Sequence, residues 1–348
     1  MTISVIIPVL NESAYIGGVI DSILNQEQFS NIVEIIVVDG GSSDGTVEIV
    51  KDFILKYPII SILYNANKIV SVGFNLALNE VVGEAILRID GHTKLPLNYL
   101  KSCISLLKKN NAEIVGGGIN TLSKESGLGS AIALSQSSWF GTGGSKFRLK
   151  DSIELSYVET LAFGLHRRDL FINVGGYDEE LVCNQDDEFN YRVIQNGGNI
   201  LMDPNLKVQY YCRANFSDLF NQYFKYGLYK VRVIQKRNDL LSVRHLVPSV
   251  FVLVLFATLY LALFFKKSHY FMLLFIMYSM VNIISSIYVS KKNKIFHLVF
   301  LSNGILHFSY GLGFIYGLVK FFHKWKNNKV ADNHFNKQKF ILNSSQFL

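Results

Sequence analysis

Three long stretches near the C-terminus restrict what this chain can fold into more than any other feature of its sequence. Leu246–Phe265, Tyr270–Val289 and Ile295–Val319 each have 20 or more residues and contain no Asp, Glu, Lys or Arg. A helix of that length crosses the roughly 30 Å of hydrocarbon in a bilayer. A buried helix of a soluble protein seldom runs so far without a charge, so the sequence predicts a membrane region of two to three helices.

The third stretch is the least convincing crossing, because it contains Gly304, Gly311, Gly313 and Gly317. The bases that flank the three stretches are Arg232, Lys236, Arg237, Arg244, Lys266, Lys267, Lys291, Lys292, Lys294, Lys320, Lys324, Lys326 and Lys329. Three crossings would leave seven of them inside and six outside, which is hardly a positive-inside bias. If Ile295–Val319 dips in and returns, the division is eleven to two. The sequence predicts two crossings and leaves the third open, with a re-entrant or interfacial segment favoured.

The N-terminus, MTISVIIPVLNES, has neither the basic start nor the small-residue cleavage site of a signal peptide. We therefore expect a multi-pass protein of the inner (cytoplasmic) membrane with its first domain in the cytoplasm. Three cysteines without metal-type spacing suit a reducing compartment. The net charge of +7 comes largely from bases beside the apolar stretches. That pattern favours an anionic membrane face over nucleic acid, for which the sequence has no basic and aromatic motif.

The first 110 residues alternate short apolar runs with helical patterns. ISVIIPV, VEIIVVD, ISILY and AILRID are typical of buried strands, and helical periodicity covers Ser13–Gln26, Thr46–Lys56 and Val70–Asn79. This alternation predicts an α/β domain with a mostly parallel sheet covered on both faces. Ligands of such sheets lie beyond the carboxyl ends of the strands. Three polar clusters follow predicted strands and should converge there: Pro8–Glu12, Asp39–Thr46 and Asp90–Thr93.

Two later regions carry weaker patterns. Residues 113–165 are rich in glycine, with GGGIN, GLGS and GTGGSKFR, but none has the spacing of a P-loop or dinucleotide fingerprint. We expect an irregular loop over the site there. Phe216–Lys236 combines an apolar helical stripe with Lys225, Lys230, Arg232 and Lys236, which predicts a basic amphipathic helix in the membrane interface.

VVDGGSSDGT is the sharpest local signal. Its small residues let a ligand approach the backbone closely, and Ser43 or Asp44 can cap the helix beginning near Thr46. An ordinary capped turn explains Asp44 well but does not explain Asp39 at the end of the strand. A third segment, AILRIDGHTKLP, places an acid and an imidazole two residues apart. That pair suits a cation, or it is only a polar turn.

Together these segments resemble the family 2 glycosyltransferases, which have the nucleotide-sugar-binding GT-A fold. PVLNE, VVDGGSSDGT, LRIDGHT and GGYDEELVCNQDDEFNYR match in order, and the resemblance covers about residues 3–235. The segment NQYFKYGLYK and the terminal apolar stretches are similar to the succinoglycan-type exopolysaccharide branch. The resemblance implies a Rossmann-like GT-A domain followed by transmembrane helices.

The resemblance also decides between the two interpretations of the third segment. In the family, an aspartate-x-aspartate element at the end of this strand holds a divalent cation against the donor diphosphate. Asp90 occupies the first acidic position here, whereas His92 stands in the second. Mg²⁺ prefers oxygen ligands and Mn²⁺ accepts imidazole more readily. Either His92 ligates the metal, or Asp90 and a water do so and His92 touches a phosphate.

The acidic group at residues 186–188 resembles the part of the family motif that carries the catalytic base. Counting back from Arg192 assigns the base to Asp186, with Gln185 where an acid is more usual, and Asp187 is the alternative one residue on. An inverting transfer needs one carboxylate to take the proton of the acceptor hydroxyl. The competing interpretation is a solvated acidic start of a helix.

The resemblance further implies a donor pocket and an activity. Asp39 should contact the uracil or ribose, Pro8 and Glu12 should line the same pocket, and Lys68 should reach the phosphates. The expected enzyme moves a hexose from a nucleotide diphosphate sugar, UDP-linked, to a lipid-linked saccharide in cell-surface polysaccharide synthesis. Other polysaccharide-assembly proteins are further expected partners.

Several other activities compete with this one. Within the class, the rival enzyme transfers sugar directly to polyprenyl phosphate, while a processive synthase is disfavoured because QxxRW is missing. A non-catalytic membrane scaffold would be favoured by loss of Asp90 or Asp186. A nicotinamide oxidoreductase would need GxGxxG where PVLNES stands. The expected domains are residues 1–215 (GT-A catalytic domain), 216–244 (interfacial helix and linker), 245–320 (membrane region) and 321–348 (polar tail).

Overall fold

The computed structural model of the 348-residue chain describes residues 1–144, 154–237, 243–290 and 294–344. By its contacts the chain divides into two compact units. Unit 1 comprises Met1–Asn120, Asp151–Tyr210 and Lys329–Leu348, and unit 2 comprises Thr121–Lys150 and Tyr211–Asn328. Part of the motif GTGGSKFR, from Ser145 on, lies outside the described residues, as do Lys291 and Lys292 of the charge count.

The first four strands are the four that the apolar runs predict. They are β1 (Ile3–Val9), β2 (Ile32–Asp39), β3 (Ile60–Tyr64) and β4 (Ala85–Arg88). Strand β1 lies between β2 and β4, β2 pairs with β3, and all three pairings are parallel. Most of their side chains are buried, as expected of central strands covered on both faces.

The remaining strands make the sheet mixed. They are β5 (Thr93–Lys94), β6 (Ile114–Leu122), β7 (Ser156–Tyr157), β8 (Gly164–Arg167) and β9 (Ile200–Tyr211). Their order, with the first four, is β3-β2-β1-β4-β8-β6-β9-β5, and β7 pairs with β9. Strand β8 is antiparallel to β4 and β6, and β9 is antiparallel to β5 and β7. The parallel arrangement that the sequence predicts therefore holds for β1–β4, whereas these later pairings are antiparallel.

Thirteen α-helices are assigned within the described residues. They are α1 (Ile16–Leu24), α2 (Thr46–Lys56), α3 (Val70–Leu78), α4 (Tyr99–Lys109), α5 (Leu128–Gln136), α6 (Trp139–Thr142), α7 (Arg168–Val174), α8 (Gln185–Gln195), α9 (Phe216–Arg237), α10 (Val247–Phe265), α11 (Ser268–Val289), α12 (Phe296–Lys320) and α13 (Lys337–Ser344). Helices α1, α2 and α3 lie where the periodicity predicts them, within a few residues at their ends.

The expectation of an irregular loop over residues 113–165 is wrong for the described part of that region, which contains β6, α5, α6, β7 and β8. The glycines of GGGIN lie within β6 because neighbouring backbone leaves no room for a side chain. A Cβ on Gly117 would stand 1.4 Å from the carbonyl oxygen of Leu206, and one on Gly116 would stand 2.3 Å from that of Phe163. These glycines therefore mark close packing rather than flexibility.

In unit 2, helices α9 and α12 pack along each other through glycine. A Cβ on Gly227 of α9 would lie 2.1 Å from the carbonyl oxygen of Tyr310, and a Cβ on Gly313 of α12 would lie 2.0 Å from that of Phe224. Small residues at such a contact let two helix backbones approach closely. The glycines that make α12 the least convincing membrane crossing thus have a role in helix packing.

The basic side chains of α9 do not all lie in a membrane-facing stripe. Arg232 is fully buried, and its guanidinium donates hydrogen bonds to the carbonyl oxygens of Asn327 (2.8 Å) and Lys324 (3.4 Å), beyond the end of α12. Gln235 donates to the carbonyl oxygen of Phe321 (2.8 Å). Successive residues of α9 meet successive residues of α12, so the two helices run parallel. The hydrogen bonds of Arg232 therefore go to backbone carbonyls of the turn after α12 instead of to lipid headgroups.

Three helices among the described residues are long and apolar enough to cross a membrane, as predicted: Val243–Phe265, Ser268–Val289 and Phe296–Lys320. The third differs from the others in its burial. Within the protein, 44% of its apolar stretch is buried, against 11% for each of the first two. It meets α10 where a Cβ on Gly311 would lie 2.4 Å from the carbonyl oxygen of Pro248. It meets α11 through a hydrogen bond from Asn303 to Asn282 (2.9 Å).

Candidate active site

The loops after β1 and β2 are joined by hydrogen bonds. The backbone amide of Asn11 donates to the Ser42 hydroxyl, and the amide of Ser43 donates to the Asn11 side chain, both at 2.9 Å. The amide of Glu12 donates to the Thr46 hydroxyl at 2.8 Å. Two of the predicted polar clusters, PVLNE and DGGSSDGT, therefore form one rim at the carboxyl ends of adjacent parallel strands, where the β1/β2 pairing brings Pro8 opposite Val38.

Asp39 ends β2, and its own loop holds its carboxylate. Oδ2 accepts hydrogen bonds from the amides of Gly41 (2.8 Å) and Ser42 (3.1 Å), and only 4% of the residue is exposed. Lys68 lies beside this loop, since a Cβ on Gly41 would stand 3.6 Å from Lys68 Cε. The carboxylate and the ammonium that the sequence selects thus belong to the same corner of unit 1.

The N-cap of α2 is Gly45, without a side-chain cap, so the predicted cap by Ser43 or Asp44 is wrong; Asp44 instead binds the first residue of the helix and the neighbouring loop. Its Oδ1 accepts from the Thr46 amide (3.1 Å) and from the Thr46 hydroxyl (2.5 Å), and its Oδ2 accepts from the Ser13 amide (3.0 Å). Desolvation acts to raise the pKa of Asp44, but the hydrogen bonds from Thr46 and Ser13 outweigh it and hold that pKa well below its usual range. Asp44 is therefore a charged structural residue that ties the two loops together.

Asp90 follows β4 and is paired with a buried arginine. Arg88 Nη2 lies 2.6 Å from Asp90 Oδ1, Nη1 donates to the carbonyl oxygen of Ala162 (3.0 Å), and the guanidinium carbon lies 5.7 Å from the centre of the Phe163 ring. Arg88 lies within the motif LRIDGHT, but the sequence does not predict that its side chain pairs with Asp90. A buried guanidinium held on three sides fixes the orientation of the Asp90 carboxylate.

His92 and Glu12, which the sequence selects from different motifs, meet in the structure. His92 Nδ1 lies 2.9 Å from Glu12 Oε1. The imidazole also contacts the rings of Tyr210 and Tyr15, with centroids 4.9 and 6.4 Å away. Glu12 binds Nδ1 and so fixes the orientation of the imidazole. Nε2 is then the nitrogen that can bind a ligand. Gly91 and His92 form a turn after β4 that contacts from Glu12, Tyr15 and Tyr210 hold in place.

Asp90 and His92 would hold a cation only together with a substrate that supplies further ligands. Within the described residues, no group of three or more His, Cys, Asp or Glu side chains could hold a metal ion. Asp90 gives Oδ1 to Arg88 and His92 gives Nδ1 to Glu12. The second carboxylate oxygen and Nε2 are then the atoms available to a cation. Two protein ligands suit a metal whose coordination is completed by phosphate oxygens and water.

The acidic group at residues 186–188 forms the first turn of α8. Glu188 is 2% exposed, and its two oxygens receive Arg192 Nε and Nη2 at 2.6 and 2.8 Å. Glu188 is thus committed to a structural ion pair. Asp186 and Asp187 are half-buried, and the Asp187 amide donates to Asp186 Oδ1 at 2.9 Å. Acidic groups in a first turn are favoured by the helix dipole.

Tyr177 is buried, and its ring meets that of Phe189 in α8 edge-on, with centroids 5.1 Å apart. Burial raises the pKa of the Tyr177 phenol, and the charges of Arg88, Asp186, Asp90 and Arg192 also act on it. Asn190 of α8 donates a hydrogen bond to the carbonyl oxygen of Leu161 (3.0 Å), next to the Ala162 carbonyl that binds Arg88, so contacts join α8 to the Arg88–Asp90 pair. Tyr177, from the motif GGYDEE, is a buried neighbour of α8 that the sequence did not single out.

Comparisons with known proteins bear on this site. The sequence model described as Glycosyl transferase family 2 matches residues 4–170. Succinoglycan biosynthesis protein ExoA of Rhizobium meliloti is 31% identical over 257 residues, covering 73% of this chain and 77% of that protein. A protein of Methanococcus voltae is 28% identical over 242 residues, covering 67% and 74%; its name is dolichyl N-acetyl-alpha-D-glucosaminyl phosphate 3-beta-D-2,3-diacetamido-2,3-dideoxy-beta-D-glucuronosyltransferase.

Among solved structures, the fold is similar to that of the mannosyltransferase PcManGT from Pyrobaculum calidifontis in complex with GDP-Man and Mn²⁺. The TM-score is 0.57 at 15% sequence identity, and the likeness covers 90% of this chain and 87% of that one. At this identity the likeness concerns the fold alone, and it confirms the GT-A type fold that the sequence predicts.

Proposed function

Since this chain belongs to glycosyltransferase family 2, we propose that it is an inverting hexosyltransferase acting in exopolysaccharide or cell-surface polysaccharide synthesis. Its donor would be a nucleotide diphosphate sugar, UDP-linked, and its acceptor a lipid-linked saccharide. The names of two relatives support the class of product, because one acts in succinoglycan biosynthesis and the other is named for a dolichyl phosphate-linked sugar.

One observation carries this proposal. The loops after β1, β2 and β4 come together at the carboxyl ends of parallel strands, with Glu12 bonded to His92 and Asp39 held in the adjoining loop. The helix of Asp186 is joined to the Arg88–Asp90 pair through Asn190, which donates to the carbonyl oxygen beside the one that Arg88 binds. Donor recognition and an acceptor base thus have candidates in one part of unit 1.

The donor would lie along the rim formed by the first two loops. The Asp39 carboxylate would accept a hydrogen bond from the uracil or ribose, in place of one that it now accepts from a backbone amide. Pro8 and Glu12 would line the pocket, and Lys68 would neutralise part of the diphosphate charge. Asp90 and His92 would hold Mg²⁺ or Mn²⁺, which stabilises the negative charge of the leaving diphosphate when it is bound.

The transfer step needs one base and no covalent enzyme intermediate. Asp186 would take the proton of the acceptor hydroxyl while that oxygen bonds to the anomeric carbon. The bond from the anomeric carbon to the donor phosphate oxygen breaks at the same time, and its electron pair leaves with the diphosphate. Attack from the face opposite the leaving group inverts the configuration. Asp187 is the alternative base.

We further propose that the enzyme is a multi-pass membrane protein with two crossings, α10 and α11, and a cytoplasmic catalytic domain. Charged residues along α9 include Asp218, Lys225 and Lys236, so this helix cannot lie in hydrocarbon at low cost. The second half of α12 runs beside α9, as the contact between Gly313 and Phe224 indicates. That half of α12 would therefore lie at the membrane interface.

The chain after α12 supports the same topology. The segment from Lys329 on belongs to unit 1 together with the N-terminal domain. Parts of one compact unit lie on the same side of a bilayer, which supports an even number of crossings between them. Two crossings also give the stronger positive-inside bias, eleven bases against two.

Labelled transfer tests the proposed activity. Membranes from a host that expresses the protein are incubated with a panel of labelled nucleotide sugars, and the lipids are extracted. We expect one UDP-linked donor to label the lipid fraction in a protein-dependent way, in a product larger than a lipid monosaccharide. A labelled polyprenyl phosphate monosaccharide would favour the rival enzyme. No labelled lipid with any donor would contradict the proposed acceptor class.

A further inference from the structure

The C-terminal segment, from Lys329 on, packs within unit 1, although its sequence is mostly polar. Phe340 of α13 is fully buried, and its ring centre lies 4.1 Å from the guanidinium carbon of Arg168. Arg168 Nη2 also donates a hydrogen bond to the Phe340 carbonyl oxygen, while Nη1 donates to those of Val81 (2.8 Å) and Gly83 (3.2 Å). One arginine thus anchors the C-terminal segment to the loop before β4.

An aromatic path leads from this anchor to the helix of the proposed base. The Phe340 ring meets the Phe171 ring edge-on, with centroids 6.2 Å apart, and Phe171 stacks on Phe189 at 5.2 Å. Phe189 is three residues after Asp186 in α8, and residues three apart lie on neighbouring positions of a helix surface. The packing of Phe189 is therefore one turn of helix away from Asp186.

A polar path reaches the same helix. Glu179 accepts hydrogen bonds from the amide (2.9 Å) and Nδ1 (2.8 Å) of His334, and its own amide donates to the carbonyl oxygen of Ala331 (2.6 Å). On the other side of this loop, Arg192 of α8 donates to the carbonyl oxygens of Val174 (2.6 Å) and Gly176 (2.8 Å). The loop GGYDEE is held between the C-terminal segment and α8.

We propose that Phe340 and His334 are positioning residues for the transfer, and that the C-terminal segment keeps α8 where Asp186 reaches the acceptor hydroxyl. This inference rests on the proposed function, in which Asp186 is the base. A base acts only within hydrogen-bond reach of the proton that it removes. A displacement of about 1 Å can lower the rate on the order of a hundredfold. Loss of packing at Phe340 should therefore appear in the chemical step.

The test compares two positions of the same helix in the full-length protein in membranes. Phe340→Ala removes a buried ring, whereas Leu342→Ala is the matched control because Leu342 is 65% exposed. We expect Phe340→Ala to lower kcat by about tenfold or more with the donor KM within about twofold of wild type. His334→Ala should lower kcat by a smaller factor, and Leu342→Ala should leave both constants near wild type.

Measuring Phe340→Ala in an Asp186→Asn background distinguishes an effect on the position of Asp186 from a general loss of structure. If the segment acts through Asp186, Phe340→Ala should add little further loss to an Asp186→Asn enzyme, measured at high enzyme concentration. Independent defects would multiply instead. Phe340→Leu, which keeps most of the volume, is measured beside Phe340→Ala and should retain more of kcat.

The outcomes separate this proposal from the proposed function. Wild-type kcat in Phe340→Ala, a change in donor KM alone, or an equal loss in both backgrounds would overturn the positioning role. Failure of both Phe340 variants to fold would assign the segment a purely structural role and would overturn it too. Unimpaired turnover in the Asp186→Asn enzyme alone would instead contradict the base assignment on which it rests.

Discussion

Replacing Asp186 with asparagine should remove transfer while leaving the fold intact. Asp186 is half-buried in the first turn of α8, and its Oδ1 accepts the Asp187 amide at 2.9 Å. The asparagine carbonyl keeps that acceptor at nearly the same volume. The neighbouring ion pair of Glu188 with Arg192 does not involve the substituted side chain. Structural damage from this substitution should therefore be small.

The expected loss of rate comes from the missing proton acceptor. An amide cannot take the proton of the acceptor hydroxyl, and general-base catalysis contributes roughly a hundred- to ten-thousandfold. Two to four powers of ten correspond to about 3–5 kcal/mol in activation free energy. The donor pocket at Asp39 belongs to other loops, so the donor KM should change by less than about threefold.

The matched control is Asp187→Asn, in the same turn and with the same loss of charge. Transfer of labelled sugar into lipid extracts is measured at equal amounts of membrane-inserted protein, and donor binding is measured by competition with UDP. We expect a large kcat loss for Asp186→Asn and a loss within about threefold for Asp187→Asn. The reverse pattern would show that the register of the base is wrong by one residue. Near wild-type turnover in both would refute the role of this acidic turn.

Four further predictions concern the cation, the topology, the helix packing and pH. Activity should vanish with EDTA and return with Mn²⁺ or Mg²⁺, and His92→Asp should shift the preference toward Mg²⁺ because oxygen replaces nitrogen; full activity in chelator would contradict a cation at His92. With the native cysteines replaced, a cysteine at the exposed Asn333 should react with an impermeant thiol reagent only after lysis, whereas one in the loop between α10 and α11 should react in sealed spheroplasts; labelling of both before lysis would mean three crossings. Gly313→Leu should prevent stable folding, since its Cβ would stand 2.0 Å from backbone, while Gly304→Leu, with nothing within 4 Å, should be tolerated in thermal unfolding assays. Burial lowers the pKa of His166 from 6.5 to about 4, so the unfolded chain binds its proton first and stability should fall by about 3 kcal/mol between pH 6.5 and 4; an unchanged slope in His166→Asn would contradict this.

The parallel half of the sheet could be predicted because its signal is local. The runs that form β1 to β4 are apolar at almost every position, and the helices between them have their own periodicity. The carboxyl-end rule then brings Glu12, Asp39 and Asp90 to one edge without knowledge of any contact. For these residues the position in the sheet follows from sequence order alone.

The partners of those residues could not be predicted in the same way. Arg88 turns back to Asp90, and Glu12 bonds to His92 across 80 positions of chain, because tertiary packing brings them together. The glycines of β6 resemble a flexible loop in sequence, since the backbone of Leu206 that excludes a side chain at Gly117 is remote in the chain. The polar C-terminal segment likewise gives no sign that Phe340 is buried against Arg168.

The third apolar helix illustrates why length and composition do not count crossings. Its 25 residues are sufficient to span a bilayer, and glycine is common in membrane helices. However, Gly311, Gly313 and Gly317 each lie where a Cβ would stand within 2.7 Å of a backbone oxygen of α10 or α9. Glycines in such contacts assign the surface of a helix to protein neighbours rather than to lipid. Because one of these neighbours is the charged helix α9, the apolar character of α12 reflects burial against protein as much as contact with the membrane.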